Sequence, residues 1–199
     1  YGYGIAVDGN GNVYVTGYEF RSDLGESNNI WVRKYSQPTP TSVLIEWTTT
    51  YNSSNGNNDR GFGIAVDGNG NVYVTGCENR TDLGEGNNIW VRKYNTDGLI
   101  QWTTTYNSPN DSSDYGYGIA VDGNGNVYVT GYEERSGEGY NIWVRKYNTD
   151  GLIQWTTTYN DPNDNIDIGK GIAVDGNGNV YVTGYEVRTD LGEGYNIWV

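Results

Sequence analysis

Histidine and methionine are absent from this 199-residue chain, and cysteine occurs once. Without histidine it lacks the side chain that most often moves protons near neutral pH. One cysteine, Cys77, closes no internal disulfide. Basic residues are few: 12 Lys and Arg stand against 25 Asp and Glu, a net charge of −13. With a pI near 4.2, the chain repels phosphate backbones and anionic lipid. Nucleic acid is therefore not an expected partner; solubility and cationic partners are favoured. No apolar run approaches the roughly eighteen residues of a membrane span, so membrane insertion is not expected, and no signal peptide is read. The chain opens on Tyr1 instead of Met, so a processed product or a fragment is expected.

What is abundant is Gly (30), Tyr (19) and Trp (7). The run Gly4-Ile-Ala-Val-Asp-Gly-Asn-Gly-Asn-Val-Tyr-Val-Thr-Gly17 returns unchanged at 63–76, 118–131 and 171–184. The offsets are 59, 55 and 53 residues. A period near 50 with strand-like content marks a propeller or another stacked β array. Each repeat holds four runs rich in Val, Ile, Thr, Tyr and Trp. The first three are 4–8, 12–17 and 29–35; the fourth is Leu44-Ile-Glu-Trp-Thr-Thr-Thr-Tyr51. No window has helical periodicity.

Two joints in each repeat are tight. Asp-Gly-Asn-Gly-Asn links runs one and two through an Asn-Gly turn, and Asn95-Thr-Asp-Gly98 links runs three and four. The other two joints are longer, such as 19–28 and 107–114. The first repeat gains residues at 36–43 and the third loses two at 133–138. Both changes are expected in loops, because strands carry the core.

The run Gly-Ile-Ala-Val-Asp-Gly-Asn-Gly-Asn-Val-Tyr-Val-Thr-Gly-Tyr resembles the seven-bladed β-propeller (SBBP) repeat of secreted bacterial and archaeal proteins. The resemblance covers essentially the whole chain. It implies four-stranded blades with strand one at the axis and strand four outermost. The chain departs from that family in having four repeats. The expected fold is thus an all-β propeller of four-stranded antiparallel blades, the last lacking its fourth strand. It forms a single array over 1–199, with blades near 1–58, 59–113, 114–166 and 167–199. In such blades the tight turns share one face of the disc and the long loops share the other. Long loops on a rigid scaffold are where binding usually lives. The last repeat stops inside its third run, at Val199. An unpaired edge there invites a longer chain or another copy to cover it.

On the long-loop face the ligand-binding candidates are Glu19, Arg21, Glu78, Arg80, Glu133, Arg135, Glu186 and Arg188. Asp8, Asn10 and Asn12, with their repeats, have the alternating oxygens of a calcium loop. Position six of that loop is Val13 and not Gly. Glu19 stands about 23 Å along an extended strand from Asn12, so it cannot fold back onto the loop. A hairpin turn explains the motif without metal, and no cofactor is expected. The Trp residues at 31, 90, 143 and 198 suit either sugar stacking or blade packing, with packing favoured by their recurrence; those at 47, 102 and 155 stay open. Arg33, Arg92 and Arg145 are expected to pair with Glu19, Glu78 and Glu133. Cys77 replaces Tyr18, Tyr132 and Tyr185 of the other repeats, as a drifted tyrosine or a thiol for intermolecular pairing. Asn52-Ser-Ser54, Asn79-Arg-Thr81 and Asn110-Asp-Ser112 match the glycosylation triplet, as chance allows in an Asn-rich chain.

Near-identical repeats offer no unique acid and base with separated pKa values, so an enzyme is not expected. The expected function is a non-enzymatic extracellular or cell-surface scaffold, self-assembling into an oligomer or filament. The alternative is a carbohydrate- or peptide-binding module acting through the long-loop face on a glycan or surface protein.

Overall fold

The computed structural model describes residues 1–39, 41–53, 58–189 and 192–199. Its fifteen strands form four antiparallel sheets. The first contains β1 (Gly2–Val7), β2 (Val13–Phe20), β3 (Asn28–Thr39) and β4 (Ser42–Tyr51). The second contains β5 (Arg60–Val66), β6 (Val72–Asn79), β7 (Asn87–Tyr94) and β8 (Ile100–Tyr106). The third contains β9 (Tyr115–Val121), β10 (Val127–Arg135), β11 (Gly139–Tyr147) and β12 (Ile153–Tyr159). The fourth has three strands, β13 (Asp167–Val174), β14 (Val180–Val187) and β15 (Tyr195–Trp198). Strand order follows chain order in every sheet, so each is a meander, one propeller blade. The first strands of neighbouring blades touch one another along the axis. The outer strands β4, β8 and β12 alternate between exposed and half-buried residues or are wholly exposed along most of their length.

Alternation along each strand sends apolar residues to both faces of a blade, so the core forms between blades. Tyr14, Ile30 and Val32 of blade one meet Ile64, Val72, Val74, Trp90 and Tyr94 of blade two. Tyr73, Ile89 and Val91 meet Val127, Val129, Trp143 and Tyr147 in the same way. The strand-three indoles pack on the preceding blade's last tyrosine: Trp90 stacks on Tyr51 at 5.1 Å and Trp143 lies 5.2 Å from Tyr106. Two strand-four indoles also bridge blades. Trp47 Nε1 donates to Thr96 O and Trp102 Nε1 to Thr149 O, both at 3.0 Å.

Each first strand carries a register shift at its Gly-x-Gly, between Gly2 and Gly4, Gly61 and Gly63, Gly116 and Gly118, and Gly169 and Gly171. The bulge lifts Tyr3, Phe62, Tyr117 and Lys170 out of the ladder. Opposite it, a Cβ on Gly76 or Gly131 would run into the carbonyl oxygen of Arg60 or Tyr115, so only glycine fits.

The two length changes differ from expectation. The residues added in repeat one lengthen a hairpin, whose ladder reaches Thr39 opposite Ser42; Pro40 lies outside the described residues. The shortened third repeat closes β10 onto β11 directly, with Arg135 opposite Gly139. The longer loops of repeats one and two hold 3-10 turns at Ser22–Leu24 and Thr81–Leu83. Insertions at a hairpin tip extend the ladder because paired strands satisfy the added backbone groups.

Candidate functional site

The predicted charged set gathers on the long-loop face, pair by pair. Arg21 lies 3.2 Å from Glu19, Arg80 3.6 Å from Glu78, Arg135 2.6 Å from Glu133 and Arg188 3.6 Å from Glu186. Residues two apart share a strand face, which places each pair side by side. Arg21 and Arg80 also reach Asp23 and Asp82, each at 3.1 Å. From the preceding blade, the hydroxyls of Tyr51 and Tyr106 donate to Glu78 and Glu133, and Tyr159 donates to Glu186 at 2.9 Å. Glu78 and Glu133 are buried. These groups thus tie one blade to the next.

Arg33, Arg92 and Arg145 do not pair with those carboxylates. Arg92 lies over Tyr51 at 4.4 Å and Trp90 at 4.7 Å, and its Nε donates to Thr103 at 2.7 Å. Arg145 repeats this over Tyr106 and Trp143, with Thr156 as its acceptor. Arg33 lies over Trp31 and donates to Thr48. The cause is register. Arg92 pairs with Val74 while Glu78 pairs with Asn88, four positions along the strand. That separation is about 13 Å, so the guanidinium takes the adjacent aromatic faces instead.

Sequence reasoning missed a deeper set of carboxylates. Asp59, Asp114 and Asp167 are wholly buried beneath the long loops. Asp59 accepts from Ser53 N at 2.5 Å, Ser53 Oγ at 2.9 Å and Asn79 N at 2.9 Å. Asp114 accepts from Ser108 N at 2.6 Å and Glu134 N at 3.0 Å. Asp167 accepts from Asp161 N at 2.7 Å. Burial pushes these carboxyls up, to about 6, 7 and 6 respectively, against the hydrogen bonds they accept. The sequence marks them by position alone, each two residues before the first glycine of its Gly-x-Gly, and that position does not by itself signal burial. Of the glycosylation triplets, Ser54 lies outside the described residues.

The opposite face carries the Asp-Gly-Asn-Gly-Asn turns. Asp67 Oδ1 accepts from Asn69 N and Asn71 N, both at 2.9 Å. Its Oδ2 accepts from Asn71 Nδ2 at 2.8 Å and the Tyr73 hydroxyl at 3.0 Å. Asp8, Asp122 and Asp175 repeat the pattern with Asn12, Asn126 and Asn179. The side chains of Asn10, Asn69, Asn124 and Asn177 contribute nothing to it; their backbone N–H groups do. Partial burial raises the Asp67 carboxyl, but these four donors outweigh it and hold the group below its ordinary value. A carboxylate so filled builds a turn, not a cation cage. Among the described residues no three His, Cys, Asp or Glu side chains gather as a metal set. Polar clefts of about 360 and 450 Å³ run between adjacent turns, the first beside Lys93 and the second beside Lys146.

Around the axis on the long-loop side, the bulged rings join a continuous aromatic belt. Tyr1 and Tyr3 flank Tyr18 at 5.1 and 5.7 Å, Tyr3 meets Phe62 at 5.3 Å, and Phe62 meets Tyr117 at 5.2 Å. Tyr115 stacks on Tyr132 at 5.2 Å, which stacks on Tyr140 at 4.6 Å. Lys170 caps the belt, its ammonium 3.4 Å from the Tyr117 ring centre. Partial burial lowers its pKa. Cys77 occupies the place of a belt tyrosine and is buried, its thiol pushed up to about 12 by that burial. Burial seals it from a second thiol, which overturns the intermolecular-pairing reading.

A family model described as a β-propeller repeat, SBBP, matches residues 1–18, 46–76, 101–132 and 154–185. The chain belongs to the SBBP repeat family. Each internal match runs from strand four of one blade through strand two of the next. Each matched segment therefore spans a junction between blades and includes the buried Asp59, Asp114 or Asp167, while Glu78, Glu133 and Glu186 follow one or two residues after its end. The chain is also 26% identical over 204 residues to the uncharacterized WD repeat-containing protein L264 of Acanthamoeba polyphaga mimivirus. That similarity covers 91% of this chain and 12% of the relative's length.

Proposed function

We propose that this SBBP array is a non-enzymatic scaffold displayed outside the cell or at its surface. One observation carries the reading: the repeated charged groups are engaged within the chain. Glu78, Glu133 and Glu186 serve tyrosines and arginines, and the turn aspartates serve backbone and amide donors. A general acid or base needs an open route to a substrate proton; Glu78 and Glu133 are buried, and the turn aspartates already accept from several donors. The acidic net charge favours solubility, and a repeat array suits a scaffold. A panel of glycoside, ester and peptide substrates tests it. Reproducible turnover abolished by replacing one carboxylate would overturn the reading.

A second reading is favoured by the aromatic belt: a carbohydrate-binding module on the long-loop face. Tyr1 and Tyr3 are exposed, and flat aromatic rings suit pyranose stacking. A glycan array reads it directly. Binding lost in Tyr3→Ala and Tyr117→Ala, with folding intact, would place this role beside the scaffold one.

A further inference from the structure

A polar cleft of about 360 Å³ lies between the β5–β6 turn of blade two and the β9–β10 turn of blade three. Both blades have a neighbour on each side, so its walls belong to internal junctions. One blade on, a cleft of about 450 Å³ repeats it between the β9–β10 and β13–β14 turns. Asn124 lines both clefts, Asn69 the first and Asn177 the second. Lys93 stands in the first and Lys146 in the second. Each ammonium lies over a tyrosine of its own blade, Tyr73 at 5.3 Å and Tyr128 at 5.1 Å. Lys93 Nζ also reaches across the junction to donate to Thr149 O at 3.4 Å. Both volumes fall within the range of small-molecule sites.

The groups left free decide what such a cleft can hold. Asp67 and Asp122 each accept four hydrogen bonds, two from backbone N–H groups and one each from an Asn amide and a Tyr hydroxyl. An ionised carboxylate has about four acceptor positions, so neither has one left for a cation. The lysine ammonium beside them repels a cation further. An anion meets two carboxylates against one ammonium, on a chain of net charge −13. An apolar ligand finds no open ring, because Tyr73 and Tyr128 are buried. What remains is neutral and polar. Asn69 and Asn124 are exposed, and only their backbone N–H groups serve the turns. Each side-chain amide offers two N–H donors and one carbonyl acceptor. A hydroxyl is donor and acceptor at once, so neighbouring ring hydroxyls of a sugar match one amide's N–H and C=O together.

We propose that the clefts between adjacent tight turns bind a neutral saccharide. Asn69 and Asn124 hold its hydroxyls in the first cleft, and Lys93 donates to a further oxygen. Without an open aromatic platform each cleft binds weakly. Two clefts that share Asn124 favour a longer saccharide, which gains by occupying both. The site lies on the face opposite the long loops, so it stands or falls apart from both the scaffold and the aromatic-belt readings.

Titration of the isotope-labelled 199-residue chain with cellobiose, lactose, mannobiose and chitobiose, followed by NMR, tests the proposal. Glucuronic acid and glucosamine are the charged controls. The expected result is that at least one neutral sugar shifts the side-chain amide signals of Asn69 and Asn124, and the controls do not. Asn124→Ala should weaken that binding about tenfold or more, the loss of two hydrogen bonds, and keep the melting temperature. Asn69→Ala should affect the first cleft alone. If no neutral sugar moves these signals, or a charged control moves them more, the proposal is wrong. Binding that survives both substitutions also overturns it. So does binding lost in Tyr117→Ala and kept in Asn124→Ala, which would assign the sugar to the aromatic belt instead.

Discussion

Asp59, Asp114 and Asp167 are acids held where water cannot solvate their charge. Each binds its proton more tightly folded than unfolded, since its carboxyl lies near 6 to 7 instead of the ordinary 3.8. Their contribution to stability is therefore full below pH 3.8 and is lost as pH rises through about 6 to 7. Asp8, Asp67, Asp122 and Asp175 act with the opposite sign: burial is the largest single influence on the first three and raises them, the Asn179 hydrogen bond is the largest on Asp175, and in all four the hydrogen bonds together lower the carboxyl. Their contribution is present above 3.8 and is lost as pH falls through their lowered values. Stability should thus peak in mild acid. The unfolding free energy is expected to rise from pH 8 to pH 5 by an amount on the order of a few kcal/mol, read as a higher urea midpoint. Asp114→Asn should flatten part of that slope. It should also cost about 1–3 kcal/mol at pH 5, because its amide cannot accept from both Ser108 N and Glu134 N. A midpoint highest at pH 8 would contradict the assignment. The filled turn carboxylates carry a second expectation: millimolar calcium in place of EDTA should leave the melting temperature within about 1 °C. A rise of several degrees would mean that a cation displaces the Asn and Tyr donors.

Strands one and two meet at a bulge, and the bulge brings two backbones closer than any side chain allows. Gly116 touches Thr75, Ile89 and the Gly76 carbonyl of the preceding blade. Gly116→Ala should therefore cost about 1–3 kcal/mol or more, as overpacking of a closed contact does. Gly2 holds the same place in β1, where a Cβ would meet only Val15 at 3.6 Å, and Gly2→Ala should be close to neutral. Equal losses from the two substitutions, measured by chemical denaturation in dilute protein, would refute this account of the junction. At this scale the sequence spoke clearly about strand number and turn type. It was silent on partners across a junction: Arg92 met aromatic rings, and Glu78 met Tyr51.

Across the whole molecule, burial is graded from the middle outward. β6 and β10 are buried almost throughout, whereas β14 alternates half-buried with exposed positions. Stacked repeats are stabilised by their neighbours, so a blade covered on both faces opens least. Amide hydrogen exchange should be slowest in β6, β7, β10 and β11 and fastest in β14 and β15. Uniform protection across all four blades in the dilute monomer would contradict a nearest-neighbour array.

Much was determined by the sequence alone. A fourteen-residue run repeated at 53–59 residue intervals, with period-two apolar runs and Asn-Gly turns, specifies a meander of strands whatever the surroundings. The Glu and Arg residues of the long-loop face were singled out from the sequence as ligand-binding candidates, but the glutamates were assigned to Arg33, Arg92 and Arg145 and not to the arginines two residues on, which they meet by local strand geometry. Only the tertiary structure decided which charges are buried, which indoles span blades and which faces stay open. Those outcomes depend on a neighbouring blade some fifty residues away, whose register and distance no local pattern encodes. Asp59 and Ile197 make the difference plain. The first is an acidic loop residue by composition and lies under Ser53 and Asn79. The second is an apolar strand residue by pattern, like the buried Ile89 and Ile142 of the same repeat position, and it is exposed.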